Sequence, residues 1–285
     1  MLNVGKQAEN ALDLSLKKVG TCPKCGDDLV QFIQKNPDGT DRMPPMCRTC
    51  GHKEHSKKEA AEVAERYEKV TKQNTIDYFR GKSVCSDKEM FDCNFGNFKI
   101  VDQETKIAVN IAVSFTRAIL NGNPKHLILT GKTGSGKSHI AMAIVRSYMK
   151  ESDYSKRCLF INYRELLEMM KNAFLDDEAR RRIHINLMRE IKRAELVVID
   201  DIGAELGGVT AGQSTTYNND TLYSITEARQ NKATIFTTNL TSEELQKSYG
   251  KRIISRMSKH SQGYTVYFKK TKDKRLLSLD EESGE

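Results

Sequence analysis

The chain has 285 residues, of which 38% are hydrophobic and 29% are charged, and its formal net charge at pH 7 is +8. This length predicts two domains, or one large domain with an appendage, and the apolar fraction is sufficient for a buried core. The sequence has no apolar run long enough to span a bilayer and no secretory pattern in its first ten residues, which argues against a membrane protein. We therefore expect a cytoplasmic protein without a membrane partner, whose positive charge favours nucleic acid as a partner.

Residues 1–55 are predicted to form a small zinc-binding module. The segment has few aliphatic residues, so hydrophobic burial alone would not fold it, and metal binding would supply the missing stability. Two C-x-x-C-G motifs lie in it, with a gap slightly longer than the usual one of about 15–20 residues. The four predicted zinc ligands are Cys22, Cys25, Cys47 and Cys50. Four protein ligands indicate a structural site; disulfides, free thiols, or His52 or His55 as a replacement ligand are the alternatives.

Residues 56–90 are predicted to be a helical linker, because their first part is rich in Ala, Glu and Lys and Ser56 is a candidate N-cap. From residue 91 onward, short apolar runs alternate with amphipathic segments. The predicted strands are 126–130, 157–162, 196–200, 233–238 and 264–268. Five strands joined by helical crossovers predict an α/β domain over 91–285, with a mostly parallel sheet covered on both faces.

The segment GKTGSGKS follows a predicted strand, precedes a predicted helix and matches the pattern of a phosphate-binding loop. Its backbone N–H groups and the helix N terminus would hold phosphates, Lys137 would reach the β- and γ-phosphates, and Ser138 would supply a hydroxyl to Mg²⁺. A glycine-rich turn without a ligand is the alternative. The predicted nucleotide-binding residues of this loop are Gly131, Thr133, Gly134, Ser135, Gly136, Lys137 and Ser138.

Polar residues end two of the predicted strands. Asp200 and Asp201 end the run LVVIDD; the first is predicted to support Mg²⁺ and the second to orient or deprotonate the attacking water. The alternative for this pair is a core strand that ends in a capped turn. Asn239 follows TIFTT, and the carboxyl ends of parallel strands line the ligand crevice, so it is predicted to contact the γ-phosphate or its water. Its alternative role is to cap the following helix.

The order GKTGSGKS, VVIDDIG, ITEARQNKATIFTTNL and KRIISRM resembles the AAA+ ATPases of the DnaC/DnaI helicase-loader type over about residues 91–270. The resemblance implies an ATPase that uses ATP and Mg²⁺, self-associates through its AAA+ domain and loads a hexameric replicative helicase onto single-stranded DNA in replication initiation. It also implies that Arg256, with Arg252 one turn earlier, is an arginine finger for the neighbouring subunit; a basic helix face is the alternative. Loaders of the DnaI type carry an N-terminal zinc-binding region that contacts the helicase.

Two departures from that family and two rival functions accompany the resemblance. Residues 204–220 are longer and more polar than a minimal connection, and a short basic tail stands where a helical lid would follow, so no second sensor arginine is assigned. A transposition helper ATPase of the IstB type shares the AAA+ core and is the alternative function. A metabolite kinase would use the same phosphate loop, but the paired aspartates, Asn239 and Arg256 argue against it.

Most of the excess positive charge lies in residues 247–275, which contain ten Lys or Arg and one acid, and residues 178–193 form a second basic run. Such segments attract the backbone of single-stranded DNA, although a solvated basic face is the alternative. Aromatic residues of the first segment that would stack on bases if exposed are Tyr249, Tyr264, Tyr267 and Phe268. Tyr264 and Phe268 alternate along a predicted strand, which favours core positions for them.

Overall fold

The computed structural model describes residues 15–173, 176, 178, 181–207 and 215–274. The chain divides into two compact units, Met1–Val70 and Thr71–Glu285. None of the helices in these described ranges combines the length and the apolar character that a membrane crossing requires.

The first unit contains a small antiparallel sheet in which the strands follow chain order. Its elements are β1 (Leu16–Thr21), β2 (Asp28–Phe32), β3 (Met46–Cys47) and the start of α1 (Arg48–Lys82). Among the described residues of this unit, the buried apolar side chains are Cys22, Val30 and Cys47. So few apolar groups contribute little burial energy, which agrees with a segment that depends on another source of stability.

Helix α1 starts earlier than the sequence predicts. It begins at Arg48, directly after β3, so the prediction of Ser56 as its N-cap was wrong. The reason is the second cysteine motif: Cys50 lies in the first turn of the helix, and its backbone N–H donates to the Cys47 sulfur at 3.3 Å. The described side chains from Ala60 to Val70 are exposed, as expected for a segment rich in charge.

The second unit is an α/β domain. Its elements in chain order are a 3₁₀ helix (Glu89–Asp92), α2 (Gln103–Leu120), β4 (His126–Gly131), α3 (Lys137–Glu151), β5 (Cys158–Asn162), α4 (Tyr163–Asn172), a π-helix (Arg181–Leu187), α5 (Met188–Arg193), β6 (Leu196–Ile202), a 3₁₀ helix (Ala204–Leu206), α6 (Thr216–Ala228), β7 (Ala233–Thr238), α7 (Ser242–Ser258) and β8 (Thr265–Phe268). Each predicted strand is therefore present; β7 has the predicted bounds, and each of the other four differs at one end by one or two residues.

The sheet has the strand order β5-β6-β7-β4-β8, and all four pairings are parallel. Side chains alternate between two apolar layers: Leu127 and Leu129 pack with α2 and α3, whereas Val197 and Ile199 pack with α4, α6 and α7. Helices thus cover both faces, and the predicted α/β fold with a five-stranded parallel sheet is confirmed.

A fully buried arginine ties the amino-terminal ends of two neighbouring strands together. Arg229 follows α6, and its guanidinium donates to the backbone carbonyls of Ile191, Ala194 and Ala233 at 2.7, 2.9 and 2.6 Å. Because a buried cation is costly unless its donors are satisfied, these bonds fix the end of α5 against the start of β7. The candidate site lies at the opposite end of the sheet, where the strands have their carboxyl ends.

Parts of four segments singled out in the sequence lie outside the described residues. These are residues 1–14 of the predicted zinc-binding module, 208–214 within the long polar connection, residues 179 and 180 within the second basic run, and residue 275 at the end of the first basic run. The described parts of the polar connection are the 3₁₀ helix after β6 and Thr215, which caps α6.

Candidate nucleotide-binding site

The predicted phosphate loop joins the end of β4 to the start of α3. Gly134 and Gly136 have φ values of +75° and +96°, which favour glycine, and their surroundings leave no room for a side chain. A Cβ at Gly134 would lie 1.8 Å from a carboxylate oxygen of Asp273, and one at Gly136 would lie 2.8 Å from the ring of Phe98. The loop is closed by the buried Ser135, whose hydroxyl donates to the Lys132 carbonyl at 2.9 Å.

Lys137 is buried in the middle of this loop. Its ammonium donates to the carbonyl oxygens of Gly131 and Lys132, both at 2.8 Å, and to the side-chain oxygen of Asn239 at 2.7 Å. The last bond links the phosphate loop to the end of β7. The structure thus brings together two predicted site residues that are about a hundred positions apart in the sequence.

The buried carboxylate of Asp200 lies beside the start of α3. It accepts hydrogen bonds from the hydroxyls of Ser138 at 3.1 Å and Thr237 at 2.7 Å. Burial raises the pKa of Asp200 to about 6, although both hydrogen bonds act in the opposite direction. Hydroxyl and carboxylate oxygens are the ligands that Mg²⁺ prefers, and a divalent cation here would favour the ionised carboxylate. Ser138 and Asp200 therefore fit a magnesium site.

Asp201 lies at the same end of the sheet and has an unusual backbone conformation. Its φ of +58° lies in the left-handed region, its N–H donates to the Thr237 hydroxyl at 2.8 Å, and its carboxylate accepts a 3.0 Å bond from the Asn239 amide. The hydroxyl of Thr237 thus joins both aspartates. Sequence reasoning gave Thr237 no role; its signal was a polar residue at the penultimate position of an apolar strand.

A segment after β8, residues 269–274, lies against the phosphate loop. Glu104 in α2 accepts hydrogen bonds from the Thr271 backbone N–H at 3.0 Å and its hydroxyl at 2.9 Å. The Lys274 N–H donates to the Gly134 carbonyl at 3.0 Å. Sequence reasoning assigned these residues only to a basic tail and missed their position on the loop.

A cavity of about 590 Å³ opens beside the loop, which is within the size range of small-molecule sites. Lys132, Asn239, Thr241 and Tyr267 are among its lining residues. The loop and the cavity contribute three lysines, Lys132, Lys137 and Lys269, and the carboxylates of Asp200 and Asp201 lie at the same end of the sheet.

The contacts of Arg256 in its own chain lie on α6 and α7. Within the described residues its guanidinium contacts Tyr223 and Glu227 of α6 and the carbonyl of Arg252. Of the aromatic residues considered for base stacking, Tyr267 is half-exposed, whereas Tyr249 and Phe268 are buried and have no face available to a base.

The four predicted zinc ligands form a cluster in the first unit, in which all four sulfur atoms lie within 4.8 Å of one another. The Cys22–Cys50 and Cys25–Cys47 sulfur distances are 4.0 and 3.5 Å. Zn–S bonds of about 2.3 Å in a tetrahedron place sulfur atoms roughly 3.8 Å apart, so the cluster fits zinc. Backbone N–H groups of Lys24 and Cys25 lower the pKa of Cys22 to about 7, whereas the contact with the Cys25 sulfur raises the pKa of Cys50. A bound zinc ion would favour the thiolate at all four positions. The side chains of the two alternative histidine ligands lie outside the described part of the chain.

The family model described as IstB-like ATP binding protein matches residues 59–262, and so it includes the phosphate loop, both aspartates and the arginine segment. The chain belongs to the family of IstB-like ATP binding proteins. A fold of this kind does not by itself determine a partner.

Curated relatives are similar over the same region. The replicative helicase loader DnaC of Escherichia coli (strain K12) is 26% identical over 168 residues, which cover 58% of this chain and 63% of DnaC. The uncharacterized protein YdaV of the same organism is 23% identical over 168 residues, covering 58% and 62%. The chain thus matches less than two thirds of the length of these relatives.

Solved structures share the fold of the second unit. The crystal structure of the DnaC helicase loader has a TM-score of 0.53 at 18% identity and covers 64% of this chain and 99% of that one. The structure of DnaI has a TM-score of 0.51 at 19% identity, covering 66% and 95%. A putative primosome component from Streptococcus pyogenes has a TM-score of 0.51 at 17% identity, covering 68% and 94%.

Proposed function

We propose that this IstB-like protein is an ATP-dependent loader of a hexameric replicative helicase onto single-stranded DNA. The observation that carries the proposal is the hydrogen-bonded network that joins Lys137, Asn239 and Asp201 with Asp200 and Ser138. A cation, a Mg²⁺ site and a carboxylate near the third phosphate are what ATP hydrolysis requires. The similarity to DnaC supports a helicase as the partner.

In this proposal each member of the network has one role. Lys137 neutralises the β- and γ-phosphates, and it exchanges part of its present set of carbonyl and amide acceptors for phosphate oxygens. Ser138 and Asp200 would hold Mg²⁺, which would neutralise part of the charge of the phosphates. Asp201 orients the attacking water, and Asn239, bonded to both Lys137 and Asp201, contacts the γ-phosphate or its water.

The binding roles are tested by two variants. Lys137→Ala is expected to lose ATP binding, whereas Asp201→Asn is expected to bind ATP and not hydrolyse it. Titration with a fluorescent ATP analogue and a phosphate-release assay separate the two effects. Normal hydrolysis in either variant would contradict the assignment.

Arg256 is proposed to act in trans on the nucleotide of an adjacent subunit, so turnover requires assembly. Arg256→Ala is then expected to bind ATP and fail to hydrolyse it, because the guanidinium stabilises the transition state more than the ground state. In a mixture with Lys137→Ala, an interface between the two variants combines an intact nucleotide site with an intact Arg256, and hydrolysis should be restored. No recovery in demonstrated mixed assemblies would rule out the trans role.

The two other parts of the chain are proposed to contact the partners. The cysteine cluster binds one structural zinc, and its module contacts the helicase. Single-stranded DNA is held by exposed basic residues of the C-terminal region. These are Lys247, Lys251 and Arg252 on α7 and Lys269, Lys270 and Lys272 after β8. The half-exposed Tyr267 is the aromatic residue available to a base there.

A transposition helper ATPase is the second candidate, because the matching family is IstB-like. The cysteine cluster favours the loader, since a separate module suggests a dedicated protein partner. A tagged Asp201→Asn variant, saturated with ATP, would retain its partner in a pull-down from host lysate. Recovery of the replicative helicase supports the loader, and recovery of a transposase supports the helper.

A metabolite kinase would instead transfer labelled γ-phosphate to a small acceptor rather than to water.

A further inference from the structure

Arg256 is held by side chains of its own chain. It lies on the second half of α7, beyond a break at Gly250, where φ is +80° and ψ is 159°. Its Nε forms an ion pair with the Glu227 carboxylate, and its Nη2 donates to the Tyr223 hydroxyl at 3.0 Å. The third contact is a 3.1 Å bond from Nη1 to the Arg252 carbonyl, one turn earlier in the helix.

Tyr223 and Glu227 lie four residues apart on α6 and therefore share one face of that helix. The carboxylate fixes one edge of the guanidinium, and the Tyr223 ring, with its centroid 4.5 Å from the guanidinium carbon, supports one of its faces. The two side chains thus define both the position and the plane of the Arg256 guanidinium. We call Tyr223 and Glu227 the α6 cradle.

The cradle leaves the guanidinium able to bind a further anion. A guanidinium has five N–H donors, and the contacts found among the described residues use three of them, one on each nitrogen. One N–H on Nη1 and one on Nη2 remain, and the Arg256 side chain is 19% exposed. The arginine can therefore stay in the cradle while it presents two donors to a phosphate.

We propose that the α6 cradle positions Arg256 for its action on the nucleotide of the neighbouring subunit; this rests on the trans role proposed above. A free arginine would have to lose the motion of a long side chain when it meets the γ-phosphate. The cradle removes that cost beforehand, so its effect falls on the catalytic step rather than on ATP affinity. Tyr223 and Glu227 are thus positioning residues, and they act in the subunit that donates the arginine.

The test uses mixed assemblies in which each subunit has one task. The Lys137→Ala subunits contribute Arg256 to the neighbouring nucleotide site, and the Arg256→Ala subunits bind the ATP at that site. Adding Glu227→Gln to the donating subunit is expected to lower kcat on the order of tenfold and leave KM for ATP unchanged. Adding it to the ATP-holding subunit is expected to leave both constants unchanged. A residue with a merely structural role would show no such dependence on the subunit that carries the change.

A matched control exists on α4. Arg164 and Glu168 form an exposed ion pair at 3.0 Å, so Glu168→Gln breaks a comparable pair away from the cradle and should leave kcat unchanged in either subunit. If Glu227→Gln does not fold, Tyr223→Phe takes its place, because it keeps the ring and removes the hydroxyl that accepts from Arg256.

Two results would overturn the inference, and they differ. In the first, the mixture of Lys137→Ala and Arg256→Ala subunits hydrolyses ATP, but kcat does not depend on which subunit carries the cradle variant. This result overturns the positioning role alone. In the second, the same two subunits are shown to assemble together but do not hydrolyse ATP. This result overturns the trans role, and with it the positioning role.

Discussion

The buried carboxylate of Asp200 destabilises the nucleotide-free protein, so Asp200→Asn should be more stable than the wild type near neutral pH. The pKa of Asp200 rises from its ordinary value of 3.8 to about 6 because the side chain is buried. At about 1.4 kcal/mol for each unit of pKa, the ionised form costs the fold about 3 kcal/mol. Asparagine is neutral and retains an oxygen for the Thr237 hydroxyl and an amide that can donate to Ser138.

The sign of the pH dependence follows from the raised pKa. The folded protein binds the Asp200 proton more tightly than the unfolded chain, so this contribution is fully present below about pH 4 and is lost as pH rises through about 6. The stability difference between Asp200→Asn and wild type should therefore be near zero at pH 4 and reach about 3 kcal/mol at pH 7.5.

Urea unfolding without nucleotide or Mg²⁺, at several pH values between 4 and 8, measures this difference. Asp92→Asn, which removes an exposed carboxylate, is the control and should show no such gain. A stability difference for Asp200→Asn that does not change with pH, or a variant less stable than wild type at pH 7.5, would refute the reasoning.

Three further predictions concern the loop, the metal and DNA. Gly134→Ala should weaken binding of a fluorescent ATP analogue at least about tenfold, because its Cβ would collide with Asp273. Gly122→Ala is the control, since Gly122 has a similar φ and open space around it, and it should bind the analogue normally. Equal affinities of the two variants would contradict this prediction. Metal analysis should find about one zinc per chain, and Cys47→Ser should lose it while ATP binding persists; wild-type protein without zinc would be decisive against the cluster. Lys251→Ala should reduce the salt dependence of single-stranded DNA binding by about one counterion, and an unchanged slope would exclude that contact.

The sequence could predict the elements whose cause is local. Alternating apolar runs identified all five strands of the main sheet, and the phosphate-loop pattern identified its turn because each glycine there answers a local backbone requirement. The position of Asn239 at the same end of the sheet as the phosphate loop also follows from the predicted parallel sheet, since the carboxyl ends of parallel strands meet there.

Features that depend on distant partners could not be predicted. Thr237 joins the two aspartates only because β7 lies beside β6, and nothing in its own segment shows this. Arg229 lies in the motif that resembles the family, yet its burial depends on carbonyls contributed by α5 and β7. The placement of residues 269–274 on the phosphate loop depends on Glu104, more than 160 positions away. Helix α1 begins at Arg48 because the sulfur of Cys47, the residue before the helix, accepts the backbone N–H of Cys50 in the first turn.

Helicase loading tests the proposed function most directly. The replicative helicase of the same genome, this protein, ATP and a closed circle of single-stranded DNA are combined, and helicase retained on the circle is measured after gel filtration in high salt. A closed circle cannot thread an unopened hexamer, so retention reports loading. We predict retention that requires ATP and is lost with Lys137→Ala. Equal retention with wild type, with Lys137→Ala and without the protein would contradict the proposed function.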